Sequence, residues 1–252
     1  MIQHFLHRFI QFARCGRSIG KLSRLPLRLI PPQQVVPILT GRLRGKRWIA
    51  GSSNHGYWLG THEYPKQCMF TQFIQCGMAV YDIGANVGFY TLLSSVLTGC
   101  EGRVIACEPL PDNLALLHRH IVLNQLHNVQ VIEAAISDNV GFARFACGRS
   151  SSMGKLDTRG QLEVTTTTID TLVFQQSFPL PNVVKIDIEG GEARAILGMR
   201  MVLAQASPVI LLATHGEQVR EECRNILTAL GYRMHLLQEY DGDNEFVVER
   251  VL

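Results

Sequence analysis

The segment Val80-Tyr-Asp-Ile-Gly-Ala-Asn-Val-Gly-Phe-Tyr-Thr91 restricts the folds open to this chain more than any other. Val80 and Ile83 read as part of a buried strand. Gly84 and Gly88 let the backbone turn sharply and approach a ligand, because glycine carries no Cβ to clash. A helix opening near Val87 then points its free backbone N–H groups at whatever the turn holds.

The rest of the chain repeats this alternation. Strands are expected at Ala79–Ile83, Arg103–Cys107, Val129–Ile136, Val183–Ile188 and Val209–Ala213, with Arg233–Leu237 and Glu245–Glu249 as a closing antiparallel pair. Helices are expected near Val87–Leu97, Pro111–Asn124, Glu192–Leu203 and Glu217–Leu230, with Pro208 and Gly231 as stops. Strands alternating with helices predict an α/β fold, a mostly parallel sheet with helices on both faces. Phe142–Phe145 and Leu162–Thr168 are β-branched or aromatic and predict a β-hairpin, or a pair of strands, inserted at the sheet edge at about residues 140–168.

The turn also carries chemistry. A dinucleotide site would show G-x-G-x-x-G here, whereas this chain has D-x-G-x-N-x-G from Asp82 to Gly88. A carboxylate beside a pyrophosphate is repelled, and beside an α-ammonium group it is attracted. Glu108, followed by Pro109, ends the next strand and can accept both hydroxyls of a ribose. Two acids around a glycine turn describe an adenosyl amino acid.

These residues resemble a known family. Val80 to Thr91, Gly102-Arg-Val-Ile-Ala-Cys-Glu-Pro109 and Val184-Lys-Ile-Asp-Ile-Glu-Gly190 are similar to the motifs of the FkbM methyltransferases. So are Leu123-Asn124, Asn128-Val129 and Glu133-Ala-Ala-Ile-Ser-Asp138. The resemblance covers roughly residues 44–252, and several motifs in order carry more weight than one. It implies a Rossmann-like sheet of seven strands with an antiparallel last strand, S-adenosyl-L-methionine as cofactor, and methylation of a hydroxyl oxygen. Carried over, Asp82, Gly84, Ala85, Asn86, Gly88 and Thr91 surround the methionine moiety. Glu108 and Pro109 lie at the ribose, and Ala135 lies near the adenine. The chain departs from the family at Ala213-Thr214-His215, where many members have Glu two residues before the His. Any role of that Glu is absent here or relocated.

Strand alternation places Lys185, Asp187 and Glu189 on one face and Val184, Ile186 and Ile188 on the other. Asp187 and Glu189 then lie at the C-terminal strand end, where open α/β sheets bind ligands, and His215 ends an adjacent strand. A hydroxyl is a poor nucleophile unless its proton leaves as the new bond forms. Asp187, His215 and Glu189 are therefore the candidate catalytic residues, with Asp187 and His215 the first choices for general base. Alternatives remain: Asp187 positions the cofactor through charge, or His215 makes only a backbone hydrogen bond. A divalent ion on Asp187, Glu189 or Glu192 with His215 is a competing arrangement, and no metal is assigned.

The net charge is only +3, but Arg8, Arg14, Arg17, Lys21, Arg24, Arg28, Arg42, Arg44, Lys46 and Arg47 all precede Glu63, the first acidic residue. Residues 1–40 are expected to be a basic amphipathic extension of a methyltransferase domain over 41–252. It offers weak membrane-surface contact through residues 1–28, or simply a basic surface helix. No apolar run reaches the ~18 to 20 residues of a membrane span. The 7 scattered cysteines, without C-x-x-C, suit a reducing cytoplasm. The expected location is cytoplasmic, with a position peripheral to a membrane as the alternative. Aromatics do not interleave with the basic residues, so no nucleic-acid partner is expected.

The expected acceptor is a small molecule, a sugar or a lipid-linked glycan. Asn54, His55, Tyr57, Trp58 and Glu63 are candidates for a lid, with Trp48 and Trp58 favoured as packing residues, and Arg149–Met153 is a candidate pocket lining. Two other classes compete: a nicotinamide dehydrogenase, and a non-catalytic adenosyl-binding or membrane-surface module. The oligomeric state is not assigned.

Overall fold

The structure, a computed structural model, describes residues 29–147, 154–156, 160–239 and 243–251. The basic start (residues 1–28) and the Arg149–Met153 segment lie outside the described residues. The chain divides into two compact units at Tyr64 and Pro65. In the first, β1 (Val35–Pro37) pairs antiparallel with β2 (Arg47–Ile49), and α1 (Gly56–Leu59) follows. Trp48 is fully buried and stacks on Tyr57, while Trp58 is buried and donates its Nε1–H to His55. Both tryptophans pack within this unit.

The second unit follows α2 (Tyr64–Phe73) with the alternation that the glycines and prolines punctuate. In chain order come β3 (Ala79–Ile83), α3 (Phe89–Thr98), β4 (Arg103–Cys107), α4 (Pro111–Asn124) and β5 (Val129–Ile132). Next are β6 (Ala135–Ile136), β7 (Gly141–Cys147), β8 (Gly154–Leu156), β9 (Leu162–Thr167) and α5 (Ile169–Phe174). Then follow β10 (Val183–Ile186), α6 (Glu192–Leu197), α7 (Arg200–Ala206) and β11 (Val209–His215). The unit closes with α8 (Glu217–Ala229), β12 (Tyr232–Glu239) and β13 (Asp243–Arg250).

Seven strands form one sheet in the order β12-β13-β11-β10-β3-β4-β5, and β13 runs antiparallel to both neighbours. This is the mostly parallel Rossmann-like sheet with an antiparallel last strand that the sequence predicts. Tyr81, Ile83, Val184, Ile186, Ile210 and Leu212 on one sheet face are almost fully buried. They pack with Ile169, Ile196, Val202 and Leu227 from helices α5 to α8. Each such side chain contributes about 1.5–3 kcal/mol. Beside this sheet, β6, β9, β7 and β8 make a smaller four-stranded one. Among the described residues no helix is long and apolar enough to cross a membrane.

The departures from expectation are largest in three segments. Val129–Ile136 is not one strand: after Ile132 the chain leaves the large sheet, and Ala135 and Ile136 pair with Thr166 and Thr167 of β9. The Val183–Ile188 strand stops at Ile186, and the chain then turns at Glu189 and Gly190, which take left-handed backbone angles (φ 55° and 98°). The helix expected over Glu192–Leu203 breaks at Gly198, where any Cβ would collide with the Ser137 carbonyl oxygen. The second piece, α7, is then capped from outside by Asp170, which accepts from the Met201 and Val202 amides at 3.1 and 3.0 Å.

Candidate active site

The turn after β3 is built on positive backbone angles at Gly84 (77°), Asn86 (52°) and Gly88 (94°). The amides of Gly84 and Ala85 both donate to the Cys107 carbonyl at 3.0 Å, which ties the turn to β4. A Cβ on Gly84 would run into the Asp187 carbonyl oxygen, so the ends of β3 and β10 touch through a glycine. Gly88 stands at the N-cap of α3 with no side-chain cap.

Glu108 follows β4 and is nearly fully buried. Its Oε2 accepts from the Asn86 amide at 2.9 Å, and its Oε1 accepts from the Leu110 amide (3.0 Å) and the Asn113 side chain (3.1 Å). Burial pushes its carboxyl pKa up, partly offset by those hydrogen bonds. The carboxylate is thus fixed in direction, with lone-pair capacity left on Oε2 for a ligand.

Glu108 lines a cleft at the C-terminal edge of β3, β4 and β10. Of the residues singled out for the cofactor, Gly84, Asn86, Glu108, Pro109 and Ala135 line it. Leu110, Ile136, Phe145 and Ile188 supply apolar wall, and Asp187 and Glu189 line it as well. Ala85, Gly88, Thr91 and Asp82 do not. Asp82 is fully buried behind the turn, 3.2 Å from Lys185 Nζ, and accepts from the Thr91 hydroxyl at 2.6 Å. Lys185 Nζ also donates to the Gly84 carbonyl at 3.0 Å. The acid expected to meet a ligand ammonium therefore has a protein ammonium in its place, and it braces the turn from inside.

At the rim of the cleft the catalytic candidates converge. His215 Nδ1 is 2.7 Å from Glu192 Oε1, and Nε2 lies 3.6 Å from Asp187 Oδ1 and 3.8 Å from Glu189 Oε2. Glu192 is fully buried, and the same Oε1 accepts from the Gly190 amide at 3.0 Å. Burial alone would lower the His215 pKa. The Glu192 hydrogen bond and the charges of Asp187, Glu192 and Glu189 overcome it and raise it to about 9. For Asp187, burial would raise the pKa, but Lys66, Lys185 and His215 hold the carboxyl well below the usual range. At neutral pH the rim therefore holds an ionised Asp187 and a protonated His215. Among the described residues no three His, Cys, Asp or Glu side chains are arranged to hold a metal ion.

Asn113, Phe145 and Lys66 are site residues that the sequence reading misses. Asn113 follows Glu108 by five residues and is open to a pattern argument. Phe145 and Lys66 reach the site only through tertiary packing.

The profile of the methyltransferase FkbM domain matches residues 82–234. The chain belongs to the FkbM methyltransferase family. S-adenosylmethionine is its cofactor, and the nicotinamide dehydrogenase alternative falls with that assignment. The hexuronic acid methyltransferase AglP of Haloferax volcanii is 29% identical over 173 residues, 68% of this chain and 70% of AglP. The ribosomal protein L11 methylase of Lactobacillus delbrueckii subsp. bulgaricus shares the fold, with TM-score 0.51 at 8% identity, over 79% of this chain and 80% of its own. SMU.1697c of Streptococcus mutans, solved in complex with SAH, gives TM-score 0.50 at 11% identity, over 74% of this chain and 96% of its own. The cleft suits this family's cofactor: a buried, oriented carboxylate for a diol, a small-residue and aromatic wall for a flat base, and acidic groups for a cation.

Proposed function

We propose that this methyltransferase acts on a hydroxyl oxygen of a sugar, either free, on a small molecule or on a lipid-linked glycan. When bound, the cofactor supplies an electrophilic sulfonium methyl group. In this reading Glu108 holds the ribose hydroxyls, Ala135, Ile136 and Phe145 flank the adenine, and Gly84 and Asn86 run beside the amino-acid part.

The observation that carries the reading is the rim pair of carboxylates, Asp187 and Glu189, which share the Nε2 side of one imidazolium. A hydroxyl approaching the cleft meets carboxylate oxygens that accept its hydrogen bond, which orients the oxygen and makes it more nucleophilic as the bond forms. Asp187 and Glu189 take that role, and His215 holds them in place and balances their charge. His215 is not the resting-state base, because its ring already carries the proton. Proximity does most of the remaining work, since transfer needs the oxygen in line and at near-attack distance.

The sugar part of the proposal rests on the name of AglP, whose acceptor offers both hydroxyl and carboxylate oxygens. Carboxylate oxygens at the rim accept a hydrogen bond from a hydroxyl, which an ionised acceptor carboxylate has no proton to donate. Incubation with methyl-labelled S-adenosylmethionine and a panel of hexoses, hexuronic acids and glycan extracts tests this. An alkali-stable O-methyl ether is the expected product. An alkali-labile methyl ester, or label on nitrogen or carbon, would overturn the hydroxyl assignment.

A further inference from the structure

We propose that Lys66 is a positioning residue for methyl transfer, clamping the Asp187 carboxylate at the cleft by bridging it to Glu245 on β13. The inference rests on the reading that Asp187 serves the acceptor. Lys66 and Glu245 both lie outside the 82–234 stretch that the family profile matches.

Lys66 comes from α2 and is 7% exposed. Its Nζ stands 3.0 Å from Asp187 Oδ2 and 2.9 Å from Glu245 Oε1, and 5.5 Å from the centre of the Tyr90 ring. A lysine this enclosed must recover the cost of leaving water, and two carboxylates with an aromatic face supply that. The sheet register sets up the bridge. Ile186, the last residue of β10, pairs with Leu212 and Leu212 with Phe246; Asp187 follows Ile186, and Ala213 stands directly opposite Glu245. The two acids are two strands apart, ~9 to 10 Å along the hydrogen-bonding direction. The small Ala213 between them leaves room for an ammonium group.

The clamp sets direction as well as charge. Asp187 Oδ2 points to Lys66, and Oδ1 faces His215. Lys185 cannot take over this task, because it is held by Asp82 and the Gly84 carbonyl. Lys66 does not line the cleft itself, so it works through Asp187.

The test compares K66M, K66R, D187N and the double variants K66M/D187N and K66M/E245M. It measures labelled transfer to hexuronic-acid glycans and binding of S-adenosylmethionine by calorimetry. K66M is expected to lower kcat about 10- to 100-fold, the scale of a misplaced reacting group, with cofactor Kd unchanged. K66R should regain most of the rate. K66M/D187N should be no slower than D187N alone, because both changes remove one interaction. If K66M folds poorly, K66M/E245M removes the buried pair together and should show the same kcat loss. Full kcat in K66M or K66M/E245M with an inactive D187N would overturn the clamp, as would independent, multiplying effects of K66M and D187N. D187N at full rate would instead overturn the role of Asp187 on which the inference rests.

Discussion

Each ring nitrogen of His215 faces carboxylate oxygen, Glu192 on one side and Asp187 with Glu189 on the other. With its pKa raised to about 9, the ring has no lone pair to take a proton from a hydroxyl at neutrality. The transfer rate should therefore be level through neutral pH and fall as pH passes about 9, where Asp187 and Glu189 lose their counter-charge. A pH–rate profile that climbs through that value would make neutral His215 the base. Stability carries the same signature. A folded pKa above the ordinary 6.5 means that the contribution of His215 is complete below 6.5 and is lost as pH rises through about 9. His215→Asn should cost about 3 kcal/mol at pH 6, since it strips Glu192 of its counter-charge, and much less at pH 10. Denaturant melts at the two pH values measure this, and an equal gap at both would contradict the charged ring. Gly84 offers a residue-scale test of the turn. Gly84→Ala forces a side chain into left-handed backbone and against the Asp187 carbonyl. The backbone alone should cost about 1–3 kcal/mol. Cofactor affinity should fall with it, and normal binding of S-adenosylmethionine by the Gly84→Ala variant would refute the close approach.

Elements that the sequence shows clearly are those whose causes are local. β3, β4 and α4 occupy the residues that hydrophobic runs, glycines and Pro111 mark out. Features set by distant partners are hidden. At Gly198, where the helix breaks, the Ser137 carbonyl packs against the backbone, and beyond β5 the chain pairs with β9 as β6. The site follows the same rule. The glycine turn, Glu108, Asp187 and His215 stand out by residue type at strand ends. The engagement of Asp82 by Lys185 needs the register of β3 against β10, and the place of Lys66 needs a helix to meet a strand end 121 residues further along. Register also explains Ala213. The carboxylate missing from that position is matched by one directly across from it, on β13. Opposite residues on paired strands hold their Cβ atoms about 5 Å apart, so a carboxylate on either can reach a shared ammonium. Ala213→Glu combined with Glu245→Ala should therefore keep Lys66 in place and retain at least about half the activity that Glu245→Ala alone loses, since one carboxylate replaces another within that distance. Labelled transfer by the single and double variants measures it. A double variant no better than Glu245→Ala would show that Lys66 depends on the strand as well as the charge.

At the scale of the molecule, the cleft is where the two sheets of the second unit share a wall. Gly84, Glu108 and Asp187 belong to the strand ends of the large sheet, whereas Ala135, Ile136 and Phe145 belong to β6 and β7 of the small one. Within the small sheet, β6 is held by a two-residue pairing with β9. A ligand that fills the cleft adds contacts on both sides at once. At ~100-fold excess over Kd, binding adds about 3 kcal/mol to the stability of the folded state. It should also tie local opening of the small sheet to that of the large one. Hydrogen exchange should therefore slow at residues 141–147 and 162–167 on addition of S-adenosylhomocysteine, as well as at the turn over residues 84–91. Glu108→Gln supplies the control. The amide loses the charge that the Asn86 and Leu110 amides point toward, and a charge-assisted bond is worth about 1.5–3 kcal/mol, so affinity should drop at least about tenfold. At a fixed ligand concentration the variant should show protection lost at both sheets together. Protection confined to residues 84–91 in the unaltered protein would mean that the small sheet is a bystander and that the ligand rests on the large sheet alone.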